Sequence, residues 1–405
     1  MLHIRSLLPI LALSVAAGAQ NRRLDTTNFV VIGEGLAAGQ ADFGLSEASQ
    51  RSAFPALVAE RMGALFPQPL IQGPGLIDVL GMPPQTFLPP LFGTGAVRVQ
   101  ARARPESDPG PPLFVFNVSA PNARLTDALT RRPAHPLIHE HDRQQTALNL
   151  ILGFPQLLFD TDVPLWTQAE YAEAMNPTLS LVELGFYDAL EAAVFADPAR
   201  MAPAEAFRRD YAAVVERLRR RLAEVIVTTV PDPFDTAFFA TPAHCARLVR
   251  MDLPAVLAGF ALRDDDRVTR QGVLAMGYAA MVGAPSALDR AQVIPASAAA
   301  AVAARVDAYN DAIREVAAAN GAVVYDLASL YRRVREEGAA AGSTRLTADY
   351  LGGFYSLDGY YPGRTGHALI ANEIVALINR TYGESFPLVD LSGTAANDPA
   401  ARHRQ

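Results

Sequence analysis

The apolar run FVVIGEGLAAG (residues 29–39) closes on three glycines, Gly33, Gly35 and Gly39. This pattern reads as a buried strand turning tightly into a helix, the kind of turn on which α/β proteins carry a reactive side chain or cradle a phosphate. Other residues suited to chemistry lie far along the chain. Ser119 and Asn122 stand in NVSAPNARLTDAL (117–129), Tyr187 and Asp188 in ELGFYDAL (183–190), and Asp358, Tyr360 and Tyr361 in SLDGYYPGRTGHALIANEI (356–374). Acyl transfer through such groups needs a hydroxyl nucleophile and a base that titrates near neutrality. Gly35 offers no hydroxyl, and a tyrosine such as Tyr361 ordinarily titrates near 10. A phosphate cradle fares no better. Gly33-x-Gly35-x-x-x-Gly39 is similar to a dinucleotide-binding turn, but no strand ending in an acid follows about 20 residues later. The helical SAFPALVAERMG and a Pro-rich loop stand there instead.

The remaining candidates have plainer readings. His367 falls within a helical pattern and reads as a residue on a half-buried face; Ser119 and Ser356 read as strand-end or turn hydroxyls. Glu34 reads as a turn carboxylate that accepts from nearby N–H groups, and Asp188 as a brace for its own loop. Cys245 is the single cysteine, so an internal disulfide and a cysteine zinc site are excluded. It reads as a small buried residue, and His244 beside it in sequence points elsewhere. His139-Glu140-His141 spaces two ligands poorly for one helix face. No metal and no cofactor are expected.

The 405 residues are 50% hydrophobic, enough for a large core, and the formal charge of −7 argues against nucleic acid as a partner. Residues 1–19 read as a signal peptide: His3 and Arg5 form a basic start, Leu7 to Ala17 an apolar stretch, and Ala17-Gly18-Ala19 a small-residue cleavage site. Gln20 is then the first mature residue, and the expected location is periplasmic or extracellular. The apolar stretch falls short of the roughly 20 residues of a membrane span, so no stable membrane insertion is expected.

Five short runs supply strands: NFVVIG (28–33), LFVFNVSA (113–120), TLSLVELG (178–185), EVIVTTVP (224–231) and GAVVYDL (321–327). They are nearly continuous in apolar residues, which suits strands buried on both faces of a parallel sheet. Helical patterns lie between and after them. In 203–223 the residues Phe207, Tyr211, Val214, Val215, Leu218 and Leu222 recur at helical spacing, and the arginines fall on the opposite, solvated face. Helices are expected over 299–321, stopped by Asn320-Gly321, and over 363–383. Strands alternating with helices give a three-layer α/β/α sandwich around a five-stranded parallel sheet. Residues 66–112 and 232–298 break the rhythm and read as insertions over the strand ends, within a single domain spanning 20–383; residues 384–405 read as a loose tail.

The order and flanks of these segments resemble the SGNH, or GDSL, hydrolases, over about residues 28 to 380. The resemblance implies a flavodoxin-like fold and an esterase or lipase ancestry. The family's Gly-Asp-Ser-Leu appears here as Gly33-Glu34-Gly35-Leu36, so the nucleophile's position is Gly35. The glycine that helps bind the oxyanion falls on Asn122. In Gly185-Phe186-Tyr187-Asp188 the oxyanion-binding asparagine becomes Tyr187, and in Asp358-Gly359-Tyr360-Tyr361 the histidine base becomes Tyr361. Of the family's catalytic side chains Asp358 alone keeps its identity.

The resemblance therefore implies an exported protein of hydrolase fold without hydrolase chemistry. Its remnant cleft would present the N–H groups of Gly35 and Asn122 and a wall of Tyr187, Tyr360 and Tyr361 to a carbohydrate, acyl or peptide ligand. The alternative is a working secreted ester hydrolase with a relocated nucleophile.

Overall fold

The structure is a computed structural model that describes residues 24–71, 75–77, 80, 97–99, 115–139, 142–153, 156–159 and 165–398. The segment read as a signal peptide and most of the 66–112 insertion lie outside these residues.

Four of the five apolar runs form a parallel sheet: β1 (Phe29–Gly33), β2 (Leu179–Glu183), β3 (Glu224–Thr228) and β4 (Val323–Tyr325), hydrogen-bonded in that order. Every residue of β1 and β2 is buried, as continuous apolar strands between two helical layers must be. The fifth run departs from expectation. Residues 115–120 run beside the free edge of β1, with Val31 N donating to Phe116 O (2.7 Å) and Val118 N to Val31 O (2.9 Å). Only Asn117 makes a ladder bridge there, parallel to Val31. The segment cannot continue as a strand because the chain turns at Pro121-Asn122, where Asn122 adopts a left-handed φ of 61°.

Helices cover both sides of the sheet. They include α1 (Gly35–Ala38), α2 (Phe54–Met62), α3 (Leu125–Thr130), α4 (Gln168–Ala174), α5 (Phe186–Val194), α6 (Ala204–Arg219), α7 (Ala296–Asn320), α8 (Leu327–Glu336) and α9 (Arg364–Tyr382). Helix α7 packs along α6, where the Phe207 and Tyr309 rings stack at 3.7 Å, and α9 packs on α2. Helix α6 buries Phe207, Tyr211, Val214, Val215 and Leu218 as its spacing predicts. Leu222 falls outside that stripe. The helix ends at Arg219, and Leu222 sits at φ 60°, 90% exposed. Helix α7 stops at Gly321 in the left-handed conformation (φ 62°), the stop Asn-Gly implies.

The 232–298 insertion and the expected loose tail both hold defined structure. Within 232–298, the short strands Phe239–Ala240, Arg267–Thr269 and Val293–Ile294 form an antiparallel sheet. Cys245, Val256, Phe260, Val268 and Met276 form a hydrophobic cluster of their own over it. The expected loose tail is pinned as far as Asp398. Asn372 exchanges two hydrogen bonds with the backbone of Val389 (2.7 and 3.0 Å), and Asn379 two with Phe386 (both 2.9 Å). Thr365 N and Oγ1 both donate to Asp398 Oδ2. Side-chain amides that mimic a strand partner leave no trace in hydrophobic periodicity.

The register places the candidate residues. Gly33 lies opposite Glu183 at the ends of β1 and β2, so the turns after both strands open side by side. The second turn requires a glycine. Gly185 has φ 109°, and a β-carbon there would lie 2.9 Å from the Phe207 ring.

Candidate functional site

Glu34 follows β1 directly and caps α1, its Oε2 accepting from Gly35 N at 2.6 Å. The Gly35 N–H is thus engaged, and it does not point into an open oxyanion hole. Behind it, Glu183 Oε2 accepts from Ala37 N (3.1 Å) and Glu34 N (3.3 Å). The two carboxyl groups also hydrogen-bond to each other. Both are fully enclosed, and burial raises both above the usual carboxylate range, with the proton favoured on Glu183 by the neighbouring Glu34 charge.

Tyr361 comes to this pair from the other end of the chain. Its hydroxyl donates to Glu34 Oε2 at 3.0 Å. The same hydroxyl stands over Gly35. A β-carbon built there would collide with the Tyr361 hydroxyl and lie 2.7 Å from Gln40 Oε1. Tyr361 is 1% exposed, and burial raises its phenol well above its ordinary value, so it is a neutral donor. Its ring meets Phe186 edge-on at 6.1 Å and Tyr360 at 5.0 Å.

Asp358 does not reach that hydroxyl. Its Oδ1 accepts from Tyr360 N (3.0 Å) and Tyr361 N (2.9 Å), so it shapes the turn that carries both tyrosines. Burial pushes its carboxyl up to about 6 against those hydrogen bonds. Tyr187, on the first turn of α5, lies within electrostatic range of Tyr361 and of Arg124. Asp188 braces a different segment from the one expected: its Oδ2 accepts from Leu125 N at 3.1 Å, tying α5 to the start of α3 near Asn122. The structure thus gathers Gly35, Tyr361, Asp358, Tyr360 and Tyr187, and joins Asn122 to them through its neighbours.

The expected aromatic wall is not an exposed one. Gly35, Tyr360 and Tyr361 are buried, as are Asn122 at 7% and Tyr187 at 9% exposure. Glu183 is the member of this cluster that sequence reasoning missed. An acid closing the strand-forming run LSLVE was its only signal.

No protein-family model matches this sequence, and no curated protein is significantly similar to it. Among solved structures it is similar to LAE5, an alpha/beta hydrolase enzyme from the metagenome of Lake Arreo, Spain. The identity is 13%, over 86% of this chain and 94% of that one, with a TM-score of 0.37. It is also similar to phospholipase A1 from Streptomyces albidoflavus NA297 (12% identity, 88% and 99% coverage, TM-score 0.37). A third likeness is to an extracellular lipase from Streptomyces rimosus (11%, 87% and 99%, TM-score 0.35). At such scores the likeness carries no weight for the chemistry of this chain.

The other candidate groups assemble no relay. Nδ1 of His367 accepts from Phe54 N at 3.3 Å, and burial pushes its imidazole down to about 3, too low for a general base at neutral pH. Ser356 Oγ accepts from Asp42 N (3.0 Å), and Ser119 Oγ is buried with no hydrogen-bond partner among the described residues. Cys245 is fully buried, its thiol pushed up to about 12 by burial, while His244 lies near Arg247 and Asp349. Among the described residues no group of three His, Cys, Asp or Glu side chains is placed to hold a metal ion, and no helix is long and apolar enough to cross a membrane. Glu140 and His141 lie outside the described residues.

Proposed function

We propose that this chain is an exported member of the SGNH hydrolase fold whose catalytic centre has become part of the core, leaving it without ester hydrolase activity. The neighbour order supports the fold reading. Counting residues 115–120 as the second segment, the parallel elements run 2-1-3-4-5, the flavodoxin-like order. The turns bearing Glu34–Gly35 and Gly185–Tyr187 follow the two strands flanking the switch in that order, where ligands of such sheets bind. The left-handed φ of Asn122 supports its match to a glycine position.

The observation that carries the inactive reading is the Tyr361 hydroxyl. It fills the space of a side chain at position 35 and donates a hydrogen bond to Glu34, so nucleophile and base are replaced by one static hydrogen bond. Purified protein should turn over short-chain p-nitrophenyl esters no faster than buffer between pH 6 and 9. Turnover that is lost on labelling one serine with a fluorophosphonate would overturn the proposal and establish a relocated nucleophile.

A further inference from the structure

A cavity of about 610 Å³ opens between residues 41–45, the helix Glu47–Ser52, residues 351–357 and the start of α9. Its size lies within the range of about 300–1,000 Å³ usual for small-molecule sites. His367 lines it and is 1% exposed. The neutral ring turns its Nδ1 to the Phe54 N–H, so Nδ1 is the acceptor and Nε2 carries the proton. That Nε2 has no hydrogen-bond partner among the described residues. Buried donors are ordinarily satisfied, and one left open beside a cavity marks where a partner belongs. Arg364 also lines the cavity, and its side chain makes no ion pair or hydrogen bond with the described residues.

Charge narrows the ligand class. One guanidinium and two carboxylates, Asp42 and Asp398, line the cavity. An anion would meet both carboxylates, and an organic cation would meet Arg364 and the positive end of α9. The serine hydroxyls spend their protons within the wall: Ser46 Oγ donates to Ser49 Oγ (3.3 Å), Ser49 Oγ to Ser46 O (3.0 Å) and Ser52 Oγ to Ala48 O (3.1 Å). Ser49 Oγ also accepts from Ser46 N (3.0 Å), so the lone pairs left to accept are on Ser46 and Ser52. The wall thus offers open donors in His367 and Arg364, and acceptors in serine oxygens and Asp42. Leu45, Leu351 and Leu357 supply apolar surface between them. A ligand whose groups each donate and accept, carried on a compact C–H framework, satisfies all of these at once. We infer that this cavity binds a neutral polyhydroxylated molecule of mono- or disaccharide size through His367 Nε2–H, Arg364 and the Ser46 and Ser52 hydroxyls.

This inference stands apart from the state of the Gly35 centre. Ligand-observed NMR and calorimetry on the full mature chain test it with glucose, maltose and myo-inositol as neutral probes, and glucuronate, phosphate and choline as charged ones. At least one neutral probe should bind saturably and shift the His367 Nε2–H resonance. Ala48→Trp and Ser52→Trp, which fill the cavity from its rim, should each weaken that binding at least tenfold with unchanged circular dichroism. No saturable binding of any neutral probe, binding of charged probes alone, or binding untouched by both rim variants would overturn the assignment.

Discussion

The hydroxyl of Tyr361 occupies the space that a β-carbon on Gly35 would fill, although 326 positions separate the two residues as 361 minus 35. The two residues are therefore fitted to each other. A side chain at 35 and a tyrosine at 361 exclude each other, and the glycine's backbone gives no other reason for it, since its φ is not left-handed. Gly35→Ser should destabilise the protein by about 1–3 kcal/mol through overpacking and yield no ester turnover. The same change in a Tyr361→Ala background should cost much less. Urea denaturation of both singles and the double gives the coupling energy, and additive effects would show that the two sites do not compete for space.

Tyr361→Phe isolates the hydrogen bond from the bulk of the ring. The ring contacts with Phe186 and Tyr360 remain, while Glu34 Oε2 loses one donor and keeps the Gly35 N–H. A buried acceptor stripped of one donor costs about 1–3 kcal/mol. Equilibrium unfolding should register a loss of that size. A neutral result would mean that the hydroxyl contributes nothing beyond filling space.

Much of this arrangement was legible in the sequence, and the remainder was hidden for identifiable reasons. Continuous apolar strands and the Gly321 stop follow from burial and backbone conformation, which local pattern encodes directly. The family resemblance at residues 33–36 and 356–374 pointed to Gly35, Asp358 and Tyr361, and the structure brings them together. What could not be read was the direction of polar groups. Nothing local says that Glu34 turns to Tyr361 and Glu183, that Asp188 braces α3, or that Asn372 and Asn379 hold the tail. The failed fifth strand depended on a left-handed turn at Asn122, which an apolar run of residues does not report.

Asp188 makes the stability of the fold depend on pH. Its buried carboxyl is pushed up to about 7 from an ordinary 3.8, chiefly by desolvation, with Leu125 N–H and Arg124 opposing. The folded state therefore holds a proton that the unfolded chain releases between those values. The contribution of Asp188 is greatest at acid pH, falls as pH rises from about 4 to 7, and levels off above. At about 1.4 kcal/mol per unit the fall from this residue is at most about 4 kcal/mol. Asp188→Asn keeps an oxygen for Leu125 N–H and removes the titration. Urea midpoints measured from pH 4.5 to 8.5 should slope less for the variant than for the parent, and parallel curves would show that Asp188 is ionised throughout.

Cys245 and Trp166 offer one natural probe for each hydrophobic cluster, since the chain has a single cysteine and a single tryptophan. Trp166 packs against the main core, and Cys245 lies wholly within the smaller cluster of the 232–298 insertion. That cluster is built from few residues, and helix Arg270–Met281 leaves Leu274, Tyr278 and Met281 at 62%, 66% and 77% exposure on one face. Small units with little buried area open at lower free energy than the cores they adjoin. In native buffer the thiol should resist Ellman's reagent, because burial both hides it and raises its pKa. As urea is raised, thiol labelling should begin before the Trp166 fluorescence changes. Coincident transitions would show that the insertion and the sheet unfold as a single cooperative unit.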